Sequence, residues 1–310
     1  MGSSTTRRVT ASVLSLACVA GLAVVATPRA ARASESDPFA HLPPTISLTG
    51  VVRDFRKYGV PQGHPDFERY NTGHRVGIAS EVLDSDGKPT LADRIGRPVN
   101  TQYRDARGRN IRPASYNRSL GDQAGSLGRA SDPAVTSAES FSQWFRDVPG
   151  VNLSKQHTIE LVRQPNSDIY VFHEHDDEAT APREGFFPAD GDLYNDIDPT
   201  YRHNYHFTFE LATTFVYKRG TGQVFTFVGD DDVWVYIDGK LAIDVGGVHS
   251  AVEQTVDLDR FADLHGLQDG EAYSLKFFFA ERRTTRSNCR IETTLHLRNA
   301  DLPSTSALYD

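Results

Sequence analysis

The sequence predicts an all-β protein, folded as an antiparallel β-sandwich with one or two short helices. Three observations carry that prediction. From His157 to Leu297, short runs alternate between apolar and polar residues and are separated by Gly- and Asn-bearing turns, the pattern of strands with one buried face. Asp238-Gly239 sits between two apolar runs, Val233–Ile237 and Leu241–Val245, which is the strongest short hairpin signal because both turn residues must adopt positive φ. The chain has 310 residues, 24% of them charged, a composition that suits one large or two small globular domains.

The first 33 residues read as a secretory signal. Arg7-Arg8 precede an apolar run from Val13 to Ala26, and Ala31-Arg32-Ala33 offers a small-x-small cleavage site. The run is shorter than the about 20 residues a membrane helix needs, and no other segment qualifies. Ordinary Sec export is preferred over the twin-arginine route, since Thr10 stands where that signal carries a bulky apolar residue. The expected product is secreted, begins near Ser34, and keeps Cys289 as its one thiol. Without a partner for a disulfide, Cys289 is expected to be a small buried hydrophobe on a strand.

Residues 34–45 form a polar, proline-bearing linker, and a domain is expected from 46 to 299, followed by a tail over 300–310. Ile46–Phe55 alternates as a first strand. Asp84–Pro133 is rich in Gly, Arg, Asp, Ser and Pro with little apolar periodicity, and is expected to be a long surface insertion, in part disordered. Ser137–Arg146 fits a short helix capped by Ser137 or Ser140, with Phe141, Trp144 and Phe145 on one face. Strands follow at His157–Val162, Ile169–His173, Tyr205–Leu211, Thr213–Tyr217, Val224–Val228, Val233–Ile237 and Leu241–Val245. Phe261–His265 forms a helical turn ended by Gly266, and the last strands are Ala272–Phe279 and Arg290–Leu297.

Asp230, Asp231 and Asp232 stand between two apolar strands. Three adjacent carboxylates repel, so holding them rigidly calls for a cation or a set of backbone donors. Calcium, which takes six to eight oxygen ligands, suits them; a solvated turn is the plainer alternative. Arg282, Arg283 and Arg286 are the rival compensation, an ion cluster without metal.

The same stretch, Gly229–Ser250, together with Phe277–Arg283 and Ser287–Leu295, resembles the fibro-slime domain of the anthrax protective-antigen domain superfamily. The resemblance is best from 139 to 299 and reaches back through Phe186-Phe187-Pro188 and Trp144-Phe145 to His64–Glu68. It implies a jelly-roll-like sandwich that is a binding module rather than an enzyme. In that superfamily's lectins two adjacent Asp residues bind calcium, and the metal helps hold sugar hydroxyls. Carried over, the metal ligands are Asp230, Asp231 and Asn288 of the Arg283–Asn288 loop, and the ligand-binding set is Asp230, Asp231, Gly246, Gly247 and His249. Asp232 departs from the pattern, since many relatives have Gly there.

Two other clusters compete. Phe172–Glu178 nearly matches the H-x-H-x-D-H run of binuclear zinc hydrolases, with His173, His175 and Asp177 as ligands and Glu178 replacing the last His. Asp190, Asp192, Asp196 and Asp198 could gather calcium, but they depart from EF-hand spacing. No nucleophile elbow or phosphate loop occurs. The formal net charge of −8, more negative once the four leader arginines are removed, excludes a basic nucleic-acid footprint. The sequence therefore predicts a secreted, monomeric, non-catalytic module that binds an extracellular glycan, with calcium in the site. A protein-binding matrix or cell-surface component and a zinc hydrolase are the alternatives.

Overall fold

A computed structural model describes residues 37–174 and 185–300. The expected signal, His175, Asp177 and the tail from 301 lie outside the described residues. Strand β1 (Thr45–Phe55) is followed by a segment that carries the short strands β2 (Arg75–Val76), β3 (Arg97–Thr101), β4 (Tyr103–Arg104), β5 (Asn110–Ile111) and β6 (Ser126–Leu127), and helix α1 (Ala138–Ser142). Then come β7 (Asn152–Arg163), β8 (Tyr170–His173), β9 (Phe207–Val216), β10 (Val224–Gly229), β11 (Asp232–Ile237), β12 (Lys240–Val245) and β13 (Val252–Asp257). Helix α2 (Leu258–His265), β14 (Ala272–Glu281), β15 (Cys289–Thr293) and β16 (Arg298–Asn299) complete the order.

Ten strands form one hydrogen-bonded path, β12-β11-β14-β9-β1-β7-β8-β15-β10-β13, with β16 beside β9; every pairing is antiparallel. The sheet curls over on itself. Phe227 of β10 meets Phe277 and Phe279 of β14 with ring centroids 5.8 and 6.4 Å apart, so strands distant along the path face each other as two layers. The all-β sandwich expected from the alternation is the fold observed. Between the layers Leu48, Val52, Phe209, Phe227, Val235 and Phe277 share one core.

Strand β11 is buried at every position, which alternation with one wet face does not explain. Val233, Val235 and Ile237 point into the inter-layer core. Trp234 and Tyr236 point the other way, into a second core with Phe278, Phe55, Phe67, Phe141 and Trp144. The residues between β1 and β7 therefore roof the outer face of β11 and β14.

This corrects the expectation for 84–133, which is neither a loose surface loop nor apolar. Its side chains fasten it to the sheet through buried charge. Lys88 and Arg53 converge on Glu210 of β9, Arg112 pairs with Glu81 and donates to the Leu241 carbonyl at 2.6 Å, and Arg260 of α2 grips Asp122. Ion pairs leave no hydrophobic period to read, so the sequence signal was that of a loop. Tyr205–Leu211 and Thr213–Tyr217 are one unbroken strand, β9, because Ala212 pairs with Lys276 without a bulge. The strand expected over Arg290–Leu297 is β15, which ends at Thr293, and β13 and the short β16 lay unread in the sequence. Helix α1 carries the expected Ser137 cap, in a reciprocal pair with Ser140. Asp238 and Gly239 have φ of 50° and 71°, as the hairpin requires. Cys289 is buried on β15.

His64 ties the roof together in its neutral form. Its Nδ1 accepts from the Asp66 N–H at 3.3 Å and its Nε2 lies 3.2 Å from the Ser140 carbonyl, to which it donates. Burial pushes its pKa down to about 4, against the opposing charge of Asp66. A base whose folded pKa is depressed stabilises the fold above its unfolded value and loses that contribution as pH falls through the folded one. Between pH 6.5 and 4 the expected loss is about 3 kcal/mol. Denaturant titrations of wild type and His64→Gln across that range check it: the variant should show a flatter decline, and parallel curves would refute it.

Candidate metal and ligand site

The site lies where β10 ends and β11 begins. β10 pairs with β15 and β11 with β14, so the two strands on either side of the Asp run belong to opposite layers, and the run crosses between them. The Asp230–Asp231 peptide is cis. All three carboxylates are buried, with exposures of 5%, 3% and 0%, and each has a separate set of donors.

Asp230 accepts from the backbone N–H and the side-chain Nδ2 of Asn288, at 2.5 and 2.6 Å. Asp231 accepts from the N–H of His249 at 3.1 Å and of Arg282 at 3.3 Å. Asp232 turns away, taking the N–H of Gly247 and the Nε of Arg282, both at 2.6 Å. Arg282 is fully buried, lies 4.8 Å from the Trp144 ring centroid, and donates to the Ala134 carbonyl at 3.0 Å. Asp232 is thus an ion-pair partner that bolts the roof to the sandwich.

That leaves more buried acid groups than cations beside them. Glu281, wholly buried, has one carboxylate oxygen without a hydrogen-bond partner. Burial, then the charges of Asp231 and Asp230, hold its pKa well above the usual carboxylate range. Burial raises Asp231 in the same way, opposed by Arg282 and reinforced by Asp232 and Asp230. Asp230 is raised by burial too, while Asn288 and, less strongly, Arg286 act against it. Asp230, Asp231, Asp232 and Glu281 therefore share one buried guanidinium.

Asp230 and Asp231 line a cleft of about 540 Å³. Its walls are the 248–251 loop, Asn71 from the roof, and the loop from Arg283 to Asn288. The last is held at several points. Glu68 accepts from the N–H and hydroxyl of Thr284 at 3.2 and 3.3 Å, Tyr205 donates to the Thr285 carbonyl at 3.0 Å, and the Phe186 N–H donates to the Ser287 carbonyl at 2.7 Å.

The structure brings Asp230, Asp231, His249 and Asn288 to this one cleft. Gly246 and Gly247 stand elsewhere, packed against the 72–75 segment. A Cβ on Gly247, whose φ is +89°, would come within 2.4 Å of the Gly73 carbonyl. Their part is to let two loops approach closely and to place an N–H on Asp232. His173 ends β8, beside Glu174. In the acidic 190–198 stretch the carboxylates accept from nearby backbone N–H groups or pair with bases, Asp190 with His203 and Asp192 with Lys155. Asn71 and Glu281 were missed in the sequence. Asn71 sits in a loop far from the Asp run, and Glu281 is hidden within an apolar strand.

Among the described residues, no group of three or more His, Cys, Asp or Glu side chains is gathered to hold a metal ion. Any cation here rests on two carboxylates plus neutral oxygens. The donor set meets that description: two adjacent carboxylates, the Asn288 carboxamide, and loop carbonyls. Oxygen and nitrogen of a carboxamide are assigned from their neighbours, so a half-turn of the Asn288 amide would present oxygen instead.

Residues 190–307 match the model of the PA14 domain family, the superfamily indicated by the Gly229–Ser250 stretch. Protein psiR of Dictyostelium discoideum is 31% identical over 264 residues, covering 81% of this chain and 21% of psiR. Protein psiC of the same organism is 37% identical over 170 residues, covering 53% of this chain and 30% of psiC. The chain thus spans less than a third of these relatives. Among solved structures, an anti-sigma factor domain-containing protein aligns over 36% of this chain and 37% of its own, with 20% identity and a TM-score of 0.24, too partial to carry an argument.

Proposed function

Because the chain carries a PA14 domain over residues 190–307, we propose that it is an exported carbohydrate-binding module whose cleft works with a bound calcium ion. The observation that carries this reading is the surplus of buried carboxylates at the edge of an open cleft, with one buried guanidinium among them. A hard divalent cation would relieve that repulsion, and Asp230, Asp231, Asn288 and carbonyls of the 284–288 loop would hold it. When bound, calcium supplies positions for sugar hydroxyls. Asn71, Ser250, Thr284 and Thr285 surround those positions with hydrogen-bonding groups, as a saccharide site needs. Among the described residues no helix is long and apolar enough to cross a membrane.

Thermal unfolding in calcium and in chelator tests the metal. At calcium a hundredfold above its dissociation constant the stabilisation is about 2.7 kcal/mol, which for a domain of this size raises Tm by roughly 5–10 °C. The Asp230→Asn, Asp231→Asn double variant should show no such rise. Identical wild-type melting in the two buffers would refute the calcium site. A glycan array probed with and without calcium tests the ligand class, and binding only to protein surfaces would favour the matrix-component reading.

A further inference from the structure

We propose that the cleft selects an anionic saccharide, one bearing a carboxylate or a sulfate, through Arg286 and Arg283 on its wall. This rests on the calcium-dependent glycan reading of the same cleft and names the class of sugar.

Both arginines line the cleft, Arg286 exposed and Arg283 half-buried. Arg283 donates through one nitrogen to the Tyr70 carbonyl at 3.3 Å, and no described carboxylate lies within ion-pair distance of either guanidinium. The buried and half-buried arginines that fasten the roof to the sandwich are used differently. Arg53, Arg112, Arg260 and Arg282 each close on a carboxylate. In a chain with a net charge of −8, two guanidinium groups that close on no described carboxylate stand at the mouth of an acidic cleft, with Arg286 near enough for its charge to act on Asp230.

The lining points the same way. Among the described residues it includes no Phe, Tyr or Trp, so the cleft has no aromatic platform for the apolar face of a neutral sugar. Its recognition has to be polar. A guanidinium matches a carboxylate or sulfate with two parallel N–H donors, a stronger and more directional contact than a hydroxyl receives. Calcium and the arginines then divide the ligand between them. The cation offsets Asp230 and Asp231, which would otherwise repel an anion, and takes hydroxyl oxygens. The arginines take the acidic group.

The test is a titration of the full chain, in calcium and in chelator, with matched saccharides: galactose, galacturonate and galactose 6-sulfate, and glucose with glucuronate. In calcium the acidic members should bind about tenfold or more tightly than their neutral counterparts, the gain of a charge-assisted pair. The relative response to galacturonate and to the sulfate tells which anion is preferred. Arg286→Gln should remove most of that preference, and Arg286→Lys should restore part of it. Arg283→Gln is the second variant, its folding checked by melting in chelator. Equal binding of acidic and neutral members, or a preference unchanged in both variants, overturns this inference and leaves the parent reading standing. Binding of no saccharide in calcium overturns the parent reading itself.

Discussion

Replacing Arg282 with methionine should lower folding stability by about 3–5 kcal/mol, measured by chemical denaturation in chelator. The guanidinium holds Asp232 at 2.6 Å, with both side chains wholly excluded from solvent. It also reaches two carbonyls of the roof, Ala134 and Asp66, and lies over Trp144. Methionine fills much of the volume but leaves Asp232 buried beside Asp231 with its cation gone. The loss therefore comes from a stranded charge rather than a cavity. Adding Asp232→Asn should recover a substantial part of it. A single variant within about 1 kcal/mol of wild type would show that the pair is not what binds roof to sandwich.

Phe186→Ala should be comparably damaging, about 3–5 kcal/mol. The side chain is fully buried, and its ring meets those of His157, Phe172, Phe207, Phe209 and Phe279 at 5.5 to 5.9 Å between centroids. It thus touches β7, β8, β9 and β14 at once. Phe186→Leu should cost clearly less, because leucine keeps most of the buried volume. The backbone N–H of residue 186 also holds the Ser287 carbonyl, so the alanine variant should melt earlier in calcium as well as in chelator. An alanine variant no less stable than the leucine variant would contradict this packing.

Strands with clear alternation or strong turn chemistry were legible in the sequence. β1, β10, β11, β12 and β14 begin and end within a residue or two of where alternation and the Asp238-Gly239 turn placed them. Local physics sets them, and local physics is what a sequence displays. β13 escaped because its Gln254 and Thr255 are buried polar residues, Gln254 bonded to the Asp244 backbone N–H at 2.7 Å, so the run never looked half-apolar. The roof escaped because buried ion pairs specify it. Of the site, Asp230, Asp231 and Asn288 were reached through an ordered motif, and Asn288 does lie against Asp230. What could not be read was the division of labour within the Asp run. Which carboxylate faces the cleft and which faces Arg282 depends on how β10 passes into β11, a property of the layers rather than of any neighbour in sequence.

The place of β1 in the sheet has a consequence for the order of folding. This strand, early in the chain, lies between β7 and β9, with residue 45 opposite 162 and residue 51 opposite 210. Such long-range pairings give a high contact order and the millisecond-to-second folding typical of non-local β topologies. A fragment cut at the start of the family match, residue 190, would lack β1, β7 and β8, leaving the Phe207–Glu210 part of one side of β9 unpaired, beside the part that β16 covers. An open strand edge of that kind is a template for a strand donated by another molecule. A shortened form should therefore be rescued by a peptide spanning 45–55 in trans only if β7 and β8 are retained, since the donor needs a neighbour on each side.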